Sequence, residues 1–242
     1  MLEGSYAGSV AAFTTFLDIG NLREQCKITL DPDGRPLVPE PLFDTPPRRW
    51  IETAHFVWQE ATGHGRLAAI VEGGRVVRWS LNEVSPFMVF DRVPWHRNAA
   101  WLLPLWLVAL ALVAAAALAW PAGAILRRSF GAERRPHIRA HTAIRLVKAF
   151  CWLVLAVLAG WMYFLNQIVE PSQPPDWQLR VLQFAGTIGV VGLLALTLWR
   201  LVLTWRTSAI LERAWCIVLT IAAATLLWVA FSFHLLSYGT GY

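Results

Sequence analysis

Four long apolar runs follow Asn98, and no fold in water can hide them all. They cover about Ala99–Leu126, Ala149–Ile168, Val181–Leu203 and Ala214–Leu236. Each is near or above the ~20 residues that cross ~30 Å of hydrocarbon at ~1.5 Å per residue. The first, WLLPLWLVALALVAAAALAW at its heart, is long enough to tilt. Pro104 lies in its first turns, where a missing N–H costs little. Trp95, Trp101, Trp106, Trp120, Trp161, Trp177, Trp199 and Trp205 cluster near the run ends, as in an aromatic belt. A transmembrane domain over residues 98–242 is therefore expected.

Charge divides the chain at the same place. Residues 1–97 carry 10 Lys and Arg against 12 Asp and Glu, a net −2, whereas residues 98–242 carry 11 against 4, a net +7. The basic excess sits between runs. Arg127, Arg128, Arg134, Arg135, Arg139, Arg145 and Lys148 lie between the first two, and Arg206 and Arg213 between the last two. Arg180 is the only cation in the loop between runs two and three, and the tail SYGTGY has none. By the positive-inside rule the first and third loops are cytoplasmic. Residues 1–97, the 169–180 loop and the C-terminus then face outward. The basic loop is read as a topology determinant, with anionic lipid as a further possible contact. Nucleic acid is not an expected partner, because the first half lacks a basic surface.

No acid or base lies in the middle of a run, which argues against a proton pump or ion-coupled transporter. Arg200 is close enough to the cytoplasmic end of run three to snorkel. Tyr163, Asn166, Gln167 and His234 fall near the outer rim, either lining a pocket or simply marking a polar edge. Small residues point to close helix contacts: Ala156 with Gly160 in run two, and Ala185, Gly189 and Gly192 in run three.

The first 97 residues read as short strands separated by turns. Gln25–Leu30, Arg35–Val38, Arg49–Ala54, Phe56–Ala61, Leu67–Val71, Val76–Leu81 and Phe87–Val93 read as strands, with apolar residues framing polar ones in Arg49–Ala54 and Phe56–Ala61. Asp31-Pro32-Asp33-Gly34 marks a turn, and Glu72-Gly73-Gly74-Arg75 a hairpin. Thr14–Leu22 is a short helix or loop. The fold class expected is membrane α+β: a small antiparallel β-meander or barrel-like extracytoplasmic domain, residues 1–97, followed by a four-helix transmembrane bundle.

Chemistry is sparse. Glu52, Glu60 and Glu72 fall on different strands or turns and read as solvated faces. His55 and His64 have no metal-ligand spacing. Cys26, Cys151 and Cys216 show no CxxC and read as small buried hydrophobes rather than a disulfide or zinc set. No catalytic, cofactor or metal residues are assigned.

The order and spacing of SYAGS, TTFLDIGNLREQCKITLDPDGRPLV, PPRRWIETAHFVWQEATGHGRLAAIVEGG and PFMVFDRVPWHRNAAWLLPLWLVALALVAAAALAWPAGAILRR resemble the C-terminal portion of membrane-anchored serine hydrolases. These belong to the class C β-lactamase and penicillin-binding-protein-like group. The resemblance implies a periplasmic hydrolase domain, then a small β-rich domain, then transmembrane helices. The group's catalytic motifs, Ser-x-x-Lys, Tyr-x-Asn and Lys-Thr-Gly or His-x-Gly, have no counterpart here, and His64-Gly65-Arg66 does not fit the third. What remains is a non-catalytic accessory β domain and anchor, with a hydrolase domain in cis or in trans and the lipid bilayer as partners. A second reading is a self-standing inner-membrane protein whose β domain binds or senses a lipid or cell-wall ligand. A third is an enzyme with an unrecognised site at the outer rim. Met1-Leu2-Glu3-Gly4-Ser5-Tyr6 lacks the features of a signal peptide. Either run one acts as a reverse anchor, or the chain is the tail of a longer precursor; the second is the expectation.

Overall fold

A computed structural model describes residues 2–9, 16–22, 24–39, 48–83, 88–130, 138–168, 176–205 and 210–236. The chain divides into two compact units, Met1–Leu103 and Pro104–Tyr242. The first turn of the leading helix thus groups with the β-rich unit, one turn beyond position 97.

The first unit is a closed antiparallel barrel of eight strands: β1 Gly4–Gly8, β2 Cys26–Leu30, β3 Pro36–Val38, β4 Arg48–Ala54, β5 Val57–Glu60, β6 Arg66–Glu72, β7 Arg75–Leu81 and β8 Val89–Arg92. Each strand pairs with its neighbour in sequence, and β1 closes the ring on β8 through Tyr6 opposite Arg92 and Gly8 opposite Phe90. The expected meander is present, but β1 was not foreseen. Phe16–Leu22 is a 3₁₀ segment; Thr14, Thr15 and Phe87 lie outside the described residues.

Local chemistry explains the turns. The Asp31 carboxylate accepts hydrogen bonds from the backbone N–H of Asp33 (3.0 Å) and Arg35 (2.8 Å), while Gly34 takes φ +77°. Gly73 and Gly74, at φ +57° and +77°, form the two-residue turn that matches strand twist. Two bulges help the sheet to curl. Glu52 pairs with Trp58 but Ala54 with Val57, leaving Thr53 extra. Ile70 pairs with Arg78 but Val71 with Val76, leaving Val77 extra. An extra residue resets the alternation, which is why the inward residues of β7 are Val76, Trp79 and Leu81.

An eight-stranded barrel is just wide enough for side chains to fill. Here Tyr6, Ile28, Trp50, Leu67, Trp79 and Phe90 do so, all at most 2% exposed. Trp79 stacks on Phe90 at 4.2 Å and meets Tyr6 edge-on at 6.0 Å. In β4 only Trp50 faces inward, since Ile51 and Ala54 are exposed. Arg92 secures the seam: its guanidinium donates to the carbonyls of Glu3 (2.6 Å) and Val76 (3.1 Å) and lies over the Tyr6 ring.

The second unit holds four helices long and apolar enough to cross a membrane: α1 Ala99–Phe130, α2 Ile138–Ile168, α3 Asp176–Thr204 and α4 Ile210–Ser232. The helices overrun the apolar runs. Arg127 and Arg128 lie in α1, Arg139, Arg145 and Lys148 in α2, Arg180 in α3 and Arg213 in α4. The loops are shorter than expected because charged residues are good helix formers beyond the hydrocarbon edge. Arg134, Arg135 and Arg206 lie outside the described residues. A shared core of Ala109, Val113, Cys151, Leu193, Leu219 and Ala223, among others, joins the four helices. Only 28% of an 18-residue apolar window in each of the first three spans and 44% of that in the fourth is buried, and Phe184, Ile188, Val202 and Phe231 point outward. Such a surface is stable against lipid and not against water. Trp101, Trp177, Trp199 and Trp205 are exposed as a belt requires, but Trp161 is buried, edge-on to Phe164 at 6.0 Å.

The α2–α3 contact runs through glycine. A Cβ at Gly160 would come 2.6 Å from Leu182, one at Gly192 would enter the Phe150 ring, and one at Gly189 would lie 3.4 Å from Val154. Gly186, facing Val157, belongs to this seam, whereas Ala156 is exposed and does not. Gly189→Leu is expected to cost about 1–3 kcal/mol through overpacking. Val191→Leu, at a position 47% exposed, should leave melting in detergent unchanged. Equal melting of the two variants would remove Gly189 from the seam.

Candidate functional site

The barrel brings two carboxylates together that lie far apart in sequence. Arg48 opens β4, Glu60 ends β5 and Glu83 follows β7. The Arg48 guanidinium reaches Glu60 at 3.4 Å and Glu83 at 3.1 Å. Gly65 lies between them: a Cβ there would come 3.0 Å from the Trp50 ring, 3.1 Å from Glu83 and 3.2 Å from Glu60. Glu60 therefore belongs to a charge triad and is not a lone solvated residue. Glu83 was missed because its proximity comes from the β6–β7 register, where Leu67 faces Leu81 and the Arg66 N–H bonds the Asn82 side chain at 2.6 Å. With Arg48 bridging them, the carboxylates act as an ion triad between strand ends.

The other polar candidates stay apart. Glu52 accepts from the Phe56 N–H at 3.3 Å, and Glu72 faces Arg75 across the hairpin. His55 packs on Phe56 with ring centres 3.8 Å apart, and His64 is exposed. Among the described residues no group of three or more His, Cys, Asp or Glu could hold a metal ion. All three cysteines are free and buried. Burial pushes the Cys26 thiol up to about 12, so it stays protonated at neutral pH and is a poor nucleophile.

A second cluster joins the barrel wall to the start of α1. The Gln25 side chain donates to the Arg97 carbonyl and accepts from the Ala99 N–H, both at 2.8 Å. Asn98 caps the helix, accepting from the Ala100 N–H at 2.9 Å. The Arg97 guanidinium pairs with Asp18 of the 3₁₀ segment, and Asn21 donates to the same carboxylate at 2.7 Å. Asp18 is fully buried. The two Gln25 bonds and the Arg97–Asp18 pair span 72 to 79 positions in sequence, and no periodicity announces them.

In the helical unit, Gln167 donates to the Tyr163 hydroxyl at 2.9 Å, one turn away on α2. Asn166 is exposed, and His234 is half-buried in the turn that follows α4, with φ +54°. None of these four lines the small cleft of about 40 Å³ at that end, whose walls include Trp106, Val157, Trp161, Gly186, Leu226 and Val229. The cleft is apolar and offers no group for acid–base or nucleophilic work. The Gln183 amide is fully buried with no partner at either atom among the described residues.

No family model, no curated protein and no solved structure matches the chain.

Proposed function

We propose that this chain is the non-catalytic accessory β domain and membrane anchor of a periplasmic serine hydrolase related to the class C β-lactamases. The hydrolase domain is supplied in cis, from a longer precursor, or in trans. The helices lie in a bacterial inner membrane, and the barrel and C-terminus face the periplasm. The observation that carries this reading is a closed barrel packed with side chains, followed by four membrane-length helices. A filled barrel offers rigid outer faces for a neighbouring domain, and its ion triad and capped junction serve stability. A β domain followed by membrane-length helices is the order of the last two segments that the resemblance implies.

A fluorophosphonate probe applied to native membranes tests the reading. The labelled serine is expected in a polypeptide that contains this chain or co-purifies with it, and outside residues 1–242. Stoichiometric labelling of a serine within this chain, lost when that serine is mutated, would overturn it.

A further inference from the structure

The inner end of the helical unit carries a pocket that topology alone does not require. Arg145, Lys148, Ala149 and Trp152 fall at i, i+3, i+4 and i+7 on α2, which puts them on one face. They line a pocket of about 170 Å³. Arg145, Ala149 and Trp152 are exposed, and Lys148 is half-buried. α2 itself carries no carboxylate.

The face is polarised along the helix axis. The candidate span begins at Thr142, so Arg145 and Lys148 sit in its first two turns, at the hydrocarbon edge. Ala149 and Trp152 lie up to ~10 Å deeper at ~1.5 Å per residue. A soluble anion would need only the charged part. A phospholipid needs both parts, in this order: phosphate at the cations, glycerol and acyl chain against the alanine and indole. Basic residues at the cytoplasmic edge of a span attract anionic headgroups.

We propose that Arg145 and Lys148 bind the phosphate of an anionic glycerophospholipid whose acyl chain lies on Ala149 and Trp152. The proposal rests on the membrane reading above. Failure of that reading would appear first, as a chain that stays dispersed without detergent.

The test uses the full chain in a neutral detergent, titrated with phosphatidylglycerol or with phosphatidylcholine of the same chains. Phosphatidylglycerol should bind at least about tenfold more tightly, from the added charge contacts at the interface. Arg145→Gln with Lys148→Gln should abolish the preference. The charge-matched control, Arg35→Gln with Arg75→Gln on exposed barrel turns, should keep it. Ala149→Trp retains every cation but fills the pocket, and should weaken phosphatidylglycerol binding even if the double variant does not fold. Glycerol phosphate should not compete. Equal affinity for the two lipids would overturn the proposal, as would a preference that survives both pocket variants. Competition by glycerol phosphate would reassign the site to soluble anions.

Discussion

Asp18→Ala is expected to destabilise the barrel unit by about 3 kcal/mol, the lower end of the ~3–5 kcal/mol range for breaking a buried ion pair. The carboxylate is fully buried, whereas the Arg97 side chain is 22% exposed. That residual exposure lets water recover part of the cost of the guanidinium left behind. Asn21 would lose its acceptor as well. For a unit of this size, ~1 kcal/mol shifts Tm by ~4–8 °C, so tryptophan fluorescence should report a fall of roughly 12–24 °C. Asp18→Ala combined with Arg97→Ala should lose less than the sum of the single losses, because neither charge is then stranded. The bidentate pair between Arg78 and Asp91 makes the contrast. It bridges β7 and β8 at 2.6 and 3.1 Å, but both side chains are more than a third exposed. Asp91→Ala should therefore shift the melt far less. A large loss at Asp91 with none at Asp18 would mean that the 3₁₀ segment does not hold the junction.

Hydrophobic run length and loop charge made the four helices legible, because a lipid-facing helix must be apolar along its whole length. Short apolar-rich stretches bounded by turn residues made seven of the strands legible. β1 was hidden for a physical reason. Of its five residues GSYAG, only Tyr6 faces the interior, so there is no alternation to read. Its place is set by pairing with Ile28 on one side and Phe90 on the other. The bulge at Val77 was hidden for a similar reason, since an extra residue breaks the period that would reveal the strand. Ala156 misled because small-residue spacing identifies a close-packed face only when the face is already known. The polar sites were the least legible. Glu83 meets Glu60 through Arg48, and Gln25 meets Arg97 and Ala99, through register and closure, which local sequence does not encode.

The proposed sidedness puts the barrel outside, the α1–α2 connection inside and the helices across the bilayer. The charge bias behind it is strong, with seven cations between the first two runs against one between the second and third. Thiol labelling of the whole chain in spheroplasts reads this out as an all-or-none difference. The native cysteines are all buried, so they contribute little background. Asp33→Cys places a thiol on the exposed turn after β2, and Gly131→Cys places one between α1 and α2. A membrane-impermeant maleimide is expected to label Asp33→Cys in intact spheroplasts as fully as after lysis, and Gly131→Cys only after lysis. Labelling of Gly131→Cys in intact spheroplasts, or protection of Asp33→Cys until lysis, would contradict the account.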